Sequence, residues 1–314
     1  MDNRDDDRDL PDATPDRDYD TMAEAPAGLA PADRPKVPST LPPTGSCDCH
    51  MHMVGGKGDF PLWARRSEDP APGRGFEDWM DLLRLHLSTL EINRGVIVHS
   101  VLYGNDNTVT MRALERLGPQ FRGIGLVRDD ITDASLDQLA AARIKGIRLN
   151  EVHDWPMSFE AAQGLAPRLA DRNMHLEMLM PADRIAERAE AIAGMPCPVV
   201  FDHLGWPDLS AGHEAAGFQA VLRLVSEGHA RVKLSALYRL TGAPYDMADP
   251  FVERLVAAAP ERCLWGSDWP HLLLDGADVP DAGVLLDSFF RVVTNSEARQ
   301  TILVDAPDAL YGFS

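Results

Sequence analysis

From residue 47 onward the chain alternates between two hydrophobic rhythms. Short apolar, β-branched runs are each followed by a longer stretch in which apolar residues recur every three to four positions. The short runs are "CDCHMHM" (47–53), "GVIVHS" (95–100), "RGIGLV" (122–127), "KGIRLN" (145–150), "HLEMLM" (175–180), "CPVVFDHLG" (197–205), "ARVKLSAL" (230–237) and "RCLWGSDW" (262–269). The longer stretches read as amphipathic helices. "FEDWMDLLRLHLSTLEI" sets Trp79, Leu82, Leu83, Leu87 and Leu90 on one stripe. "DASLDQLAAAR" has a capping side chain at Thr132 or Asp133. "PADRIAERAEAIAG" opens on proline, and a last helix starts near Asp281. Strands that alternate with helices pair in parallel through βαβ crossovers. Eight such units over residues 46–314 predict an α/β fold, a (β/α)8 TIM barrel. An open doubly wound sheet would place a glycine-rich phosphate turn after the first strand. Here "HMVGGKGDF" is not that motif, and a long loop over 54–75 follows it.

The rhythm is absent before residue 46. Residues 1–40 carry eleven acids and five bases with little to bury, so 1–45 is expected to be a disordered acidic tail. The 314 residues carry a net charge of −19, which excludes nucleic-acid binding and docking on anionic membranes. No apolar run spans a bilayer, and the N-terminus shows no signal peptide. Cys47, Cys49, Cys197 and Cys263 form no CxxC pair. A reduced cytoplasmic protein acting on a small molecule is expected, its oligomeric state unspecified.

In a barrel of this kind the active site is built at the C-terminal strand ends. The first strand ends in His50 and His52, which share one face, with Asp48 deeper on it. The sixth strand ends in His203 and the eighth in Asp268, with His271 three residues on. The fourth offers Arg148, the fifth Glu177, and the second His99 and Ser100. The seventh offers Lys233 and Ser235, then Tyr238 and Arg239. Polar groups at so many strand ends converge on one site. His86, His175, His213 and His229 read as structural, whereas His153 is open to either reading.

The segments "DCHMHM", "DHLGWPD", "VKLSALYRL" and "LWGSDWPH", in this order, resemble the amidohydrolase superfamily, within the branch containing 2-pyrone-4,6-dicarboxylate lactonase. The resemblance extends to the terminal "ILVDAPDALYGF". It implies a barrel hydrolase that opens a lactone without a metal cofactor. Asp268 would be the general base, and His50, His52 and His203 would orient the substrate and polarise its carbonyl. Arg148 and Arg239 would hold substrate carboxylates, with Ser100, Tyr238 and His271 as further binding residues. Two positions depart from that branch. Acids follow the fourth strand in "NEVHDW", where the pyrone lactonases carry bases, and Leu179 stands where they place a tyrosine.

Two other readings compete. A metal-dependent hydrolase or decarboxylase would use His50, His52, Glu177 and Asp268 as ligands for Zn²⁺ or Mn²⁺. A barrel that had become a mere binding protein would more naturally have lost Asp268 or one of the paired histidines.

Overall fold

The computed structural model describes residue 19 and residues 24–153, 155–274 and 276–313. Eight strands run parallel in sequence order: β1 (Cys47–Met51), β2 (Arg94–Val98), β3 (Phe121–Gly125), β4 (Ile144–Asn150), β5 (His175–Leu179), β6 (Val199–Phe201), β7 (Ala230–Ser235) and β8 (Cys263–Gly266). The ring closes through the backbone just past β8. Asp268 N donates to His50 O at 2.8 Å, and His52 N donates to Trp269 O at 2.6 Å. The expected barrel is therefore present. The expected capping holds as well: Thr132 accepts from Ser135 N, and Asp281 accepts from Gly283 N and Val284 N.

Asp48 departs from the expected geometry. The β1–β2 register shifts between Asp48 and Met51, so strict alternation fails there. The Asp48 carboxylate turns to the β1–β8 seam, where Oδ1 accepts from His50 N at 3.1 Å and Ser267 N at 3.0 Å. It braces the strand that carries the histidine pair and does not point into the mouth. Burial pushes its carboxyl up to about 7.

The boundary of the tail also differs. Residues 1–18 and 20–23 lie outside the described residues. From residue 24 the chain is laid along the barrel. Gly28 N donates to Asp69 O, Lys36 N to the Asp281 carboxylate, and Ser39 N and Oγ to Asp287. Tyr19 reaches the loop after β2, where its hydroxyl donates to Tyr103 O or Asn105 Oδ1 and accepts from Asp106 N at 2.8 Å. These anchors are backbone and polar contacts, so hydrophobic patterning does not reveal them.

The barrel is packed to its floor, as its fold requires. Val96, Val98, Ile124, Val200 and Leu264 fill the lower interior, and Tyr311 and Phe313 from the C-terminus plug it. Phe313 lies between the Arg94 and Arg122 guanidinium groups, each 4.9 Å from its ring. Above this apolar layer sits a charged one.

Candidate active site

The charged layer comes from inward-facing strand positions. Lys233 of β7 is fully buried, and its ammonium lies 2.5 Å from Glu177 Oε2 and 3.3 Å from Asp202 Oδ1. Asp202, one residue past β6, also accepts from Arg148 Nε at 2.9 Å. Burial opposes the Asp202 charge, but Lys233 and Arg148 hold its carboxyl well below the usual carboxylate range. Two anions and two cations in contact satisfy the rule that buried charges are paired. This layer is the platform beneath the mouth.

Lys233 also meets His50, with Nζ 3.1 Å from Nδ1. The same nitrogen lies 3.2 Å from Asp202 Oδ1, so it accepts from the ammonium in one tautomer and donates to the carboxylate in the other. Burial and the Lys233 charge keep the ring neutral by lowering its pKa well below the ordinary value. His50 Nε2 lies 3.4 Å from Asp268 Oδ1 but has no aligned acceptor.

His52 is set differently. Its Nδ1 is 2.7 Å from Val98 O, a carbonyl that can only accept, so Nδ1 donates. Nε2 then presents a lone pair to Asp268 Oδ1 across 3.2 Å, so the two acceptors can hold between them a proton taken from elsewhere. Asp268 Oδ2 accepts from Tyr238 Oη at 2.5 Å and Arg239 Nε at 3.0 Å. Burial again works against the charge, yet Arg239, His203, His52 and His50 hold the Asp268 carboxyl well below the usual range. His203 Nδ1 is 2.8 Å from Ser235 Oγ, and burial lowers its pKa to about 3, so the ring is neutral.

His52, His203 and Asp268 line a cavity of about 20 Å³ with Ser100, Arg148, Asn150, His153 and Arg239. On this measure the space holds about one water. The backbone that shapes it is unusual. His203, Leu204, Trp206, Ala236, Asp268 and His271 all have positive φ without being glycine. Such left-handed residues gather where surrounding packing over-determines a site.

Several expected site residues take other places. His50 is fully buried and absent from the cavity lining, yet its Nε2 lies 3.4 Å from Asp268 Oδ1 and its ring 4.7 Å from that of His203. His271 is buried off the cavity with its ring 5.4 Å from that of Tyr238, and its backbone N donates to Asp268 O. Arg239 bonds Asp268 through Nε and the carbonyls of Leu273 and Leu272 through its terminal nitrogens. It thus ties the β8 loop to the aspartate. Ser100 Oγ accepts from Leu102 N and caps a short turn. Glu177 does not join His50, His52 and Asp268, because it sits below with Lys233. Asp202 was not among the expected site residues. Its signal is an acid directly after the apolar run "VVF".

A divalent cation can be tested against this donor set. His50, His203 and Asp268 approach one another closely enough to share an ion, as do His50, Glu177 and Asp202. The second group already surrounds the Lys233 ammonium, which occupies the cation's place. The first group fits a divalent cation by donor type, and His52 Nε2 lies 3.2 Å from Asp268 Oδ1 beside it.

The fold and the site define a barrel enzyme whose mouth joins histidines from β1 and β6 to an aspartate after β8. Residues 47–313 match the amidohydrolase family, and the chain belongs to it. It is 32% identical over 296 residues to the 4-sulfomuconolactone hydrolase of Rhizobium radiobacter, covering 91% of this chain and 97% of that one. It is also 32% identical over 292 residues to a 2-pyrone-4,6-dicarboxylate hydrolase of Comamonas testosteroni, covering 88% and 93%. An apo crystal structure from Agrobacterium tumefaciens shares the fold, with a TM-score of 0.77 at 23% identity over 88% of this chain and 99% of that one. Among the described residues no helix is long and apolar enough to cross a membrane.

Proposed function

We propose that this protein hydrolyses a lactone, with Asp268 as the general base. The observation that carries this reading is an ionised, fully buried Asp268 whose Oδ2 is held by Tyr238 and Arg239 while the group borders a one-water cavity. The relatives named for lactone hydrolysis support it. Water attacks the acyl carbon as its proton passes to the Asp268–His52 pair. Ser235 donates to His203 Nδ1, leaving Nε2–H to hold the developing oxyanion. The ring C–O bond then breaks, and the proton returns from the Asp268–His52 pair to the leaving alkoxide, giving a hydroxy acid. Arg148 lines the cavity with Nε on Asp202, and its guanidinium is the group that meets the oxygens of the lactone ester.

A panel of five- and six-membered lactones assayed with the purified protein tests this. Ring opening is expected, and no turnover of any lactone would sink the reading. One observation favours a second reading: His52 Nε2 and Asp268 Oδ1 face each other as two lone-pair acceptors. Either a proton or a cation can lie between them. A divalent cation on His50, His203 and Asp268, with His52 beside them, would supply Lewis-acid polarisation of the carbonyl. Under the proton-shared reading, dialysis against a chelator leaves turnover unchanged. Loss that zinc or manganese restores selects the cation.

The pH profile follows from the charges. A general base must be ionised, so activity falls as pH drops through its pKa, which here lies well below the usual carboxylate range. His203 stays neutral throughout. The kcat/KM profile is therefore expected to be flat from about pH 5 to pH 8. Tyr238→Phe removes a hydrogen bond to the carboxylate, which favours its neutral form, so the acid limb moves to higher pH. An unmoved limb would show that Tyr238 does not act on the base.

A further inference from the structure

The one-water cavity over Asp268 cannot contain the body of a substrate. Beside it lies a much larger cavity of about 440 Å³, and Arg239 lines both. That volume is in the range of small-molecule pockets. Its walls come from the loops after β5, β6 and β7 and from the helix Ala216–Ser226, with Pro181, Trp206, Leu209, Phe218, Leu240 and Met247 as the apolar surface. The Trp206 ring lies 5.7 Å from that of His203, so one wall abuts a group that lines the reacting site.

Charge decides what the cavity accepts. Its lining includes two acids, Asp183 and Asp208, and one cation, Arg239. Arg239 is already bonded to Asp268 and to the carbonyls of Leu272 and Leu273. A carboxylate placed there meets two negative charges and an arginine committed to the catalytic carboxylate. An alkyl or aryl group meets tryptophan, phenylalanine, leucine and methionine.

We propose that this cavity is the subsite for the substrate's substituent, and that it takes an uncharged apolar group carried by the lactone ring. The inference rests on the lactone reading for its substrate and on the cavity alone for its chemistry. The reacting carbonyl reaches Asp268 while the substituent lies against Trp206 and Met247. Met247 stands at the rim, 53% exposed, so substitutions there spare the core.

Two measurements test the proposal. In steady-state kinetics, γ-lactones bearing a hexyl or phenyl group are compared with the same ring bearing a carboxymethyl group. The apolar lactones are expected to show kcat/KM about tenfold higher or more, mostly through KM. Met247→Asp should shrink that ratio and Trp206→Arg should reverse it. In calorimetry, 2-hexylcyclopentanone and 2-carboxymethylcyclopentanone offer the same ring carbonyl without a hydrolysable bond. The hexyl ketone is expected to bind about tenfold tighter or more, with the difference reduced in Met247→Asp. Equal binding, a preference for the carboxylate, or a preference insensitive to Met247→Asp overturns the subsite. Retained hexyl preference with no turnover of either lactone overturns the hydrolase reading and leaves the subsite standing.

Discussion

Asp268→Asn lowers kcat for lactone opening by about 10²–10⁴-fold, the range for loss of a positioned general base. The amide cannot take the proton that water must lose. Its oxygen still accepts from Tyr238, and Arg239 keeps its bonds to the carbonyls of Leu272 and Leu273. The loss should therefore appear in kcat, with a cooperative thermal melt retained. Because Asp268 is fully buried, a melt retained without turnover separates chemistry from folding. Near-native turnover would remove Asp268 as the base.

Lys233→Met is expected to produce the largest loss of stability, about 3–5 kcal/mol, because it strips the shared cation from two buried carboxylates. Glu177 and Asp202 then face each other across an apolar side chain, and His50 loses its contact with the ammonium. The sign of the pH dependence identifies the cause. Uncompensated buried carboxylates have raised pKa values in the folded state, so the folded state takes up protons that the unfolded state does not. The variant's deficit should shrink as pH falls from about 8 to about 5. Adding Glu177→Gln removes one of the orphaned charges and should recover part of the loss. Urea denaturation of the single and double variants measures both effects. A deficit independent of pH would mean that lost packing, not unpaired charge, is responsible.

How much of this was legible from the sequence depends on whether a feature has a period. The eight strands and their helices are periodic, so the barrel and its order could be read directly. The mouth residues could be read because the fold places chemistry at strand ends, which brought His52, His203, Arg148 and Asp268 together. Asp48 was misplaced because the register shift in β1 breaks the two-residue alternation, and no glycine or proline in "CDCHM" marks it. Arg239 and His271 were placed by proximity in sequence to the site, but side-chain direction beyond a strand end follows loop backbone. There the left-handed residues His203, Ala236 and Asp268 carry no glycine signature either. The Lys233–Glu177–Asp202 layer was available in principle, since three charges stand in or directly after apolar strands. Their mutual pairing required knowing which strands face each other across the barrel. The polar and backbone contacts that residues 24–45 make with the barrel were not legible, because low hydrophobicity measures the capacity to build a core, not the capacity to lie on one.

The floor plug has a consequence for how the protein is made. Phe313 lies between Arg94 and Arg122, and Arg94 also bonds Val304 O and the carboxylate of Asp308. These partners are separated by most of the described chain, and Phe313 is the last of them to leave the ribosome. The seam between β1 and β8 has the same long separation. A nascent chain can pair β1 with β2 and continue around the ring, but it cannot close the ring before β8 emerges or seal its base before Phe313 does. Until then the apolar interior of the lower barrel stays open to water, and to other chains, which makes that interval the period of greatest aggregation risk.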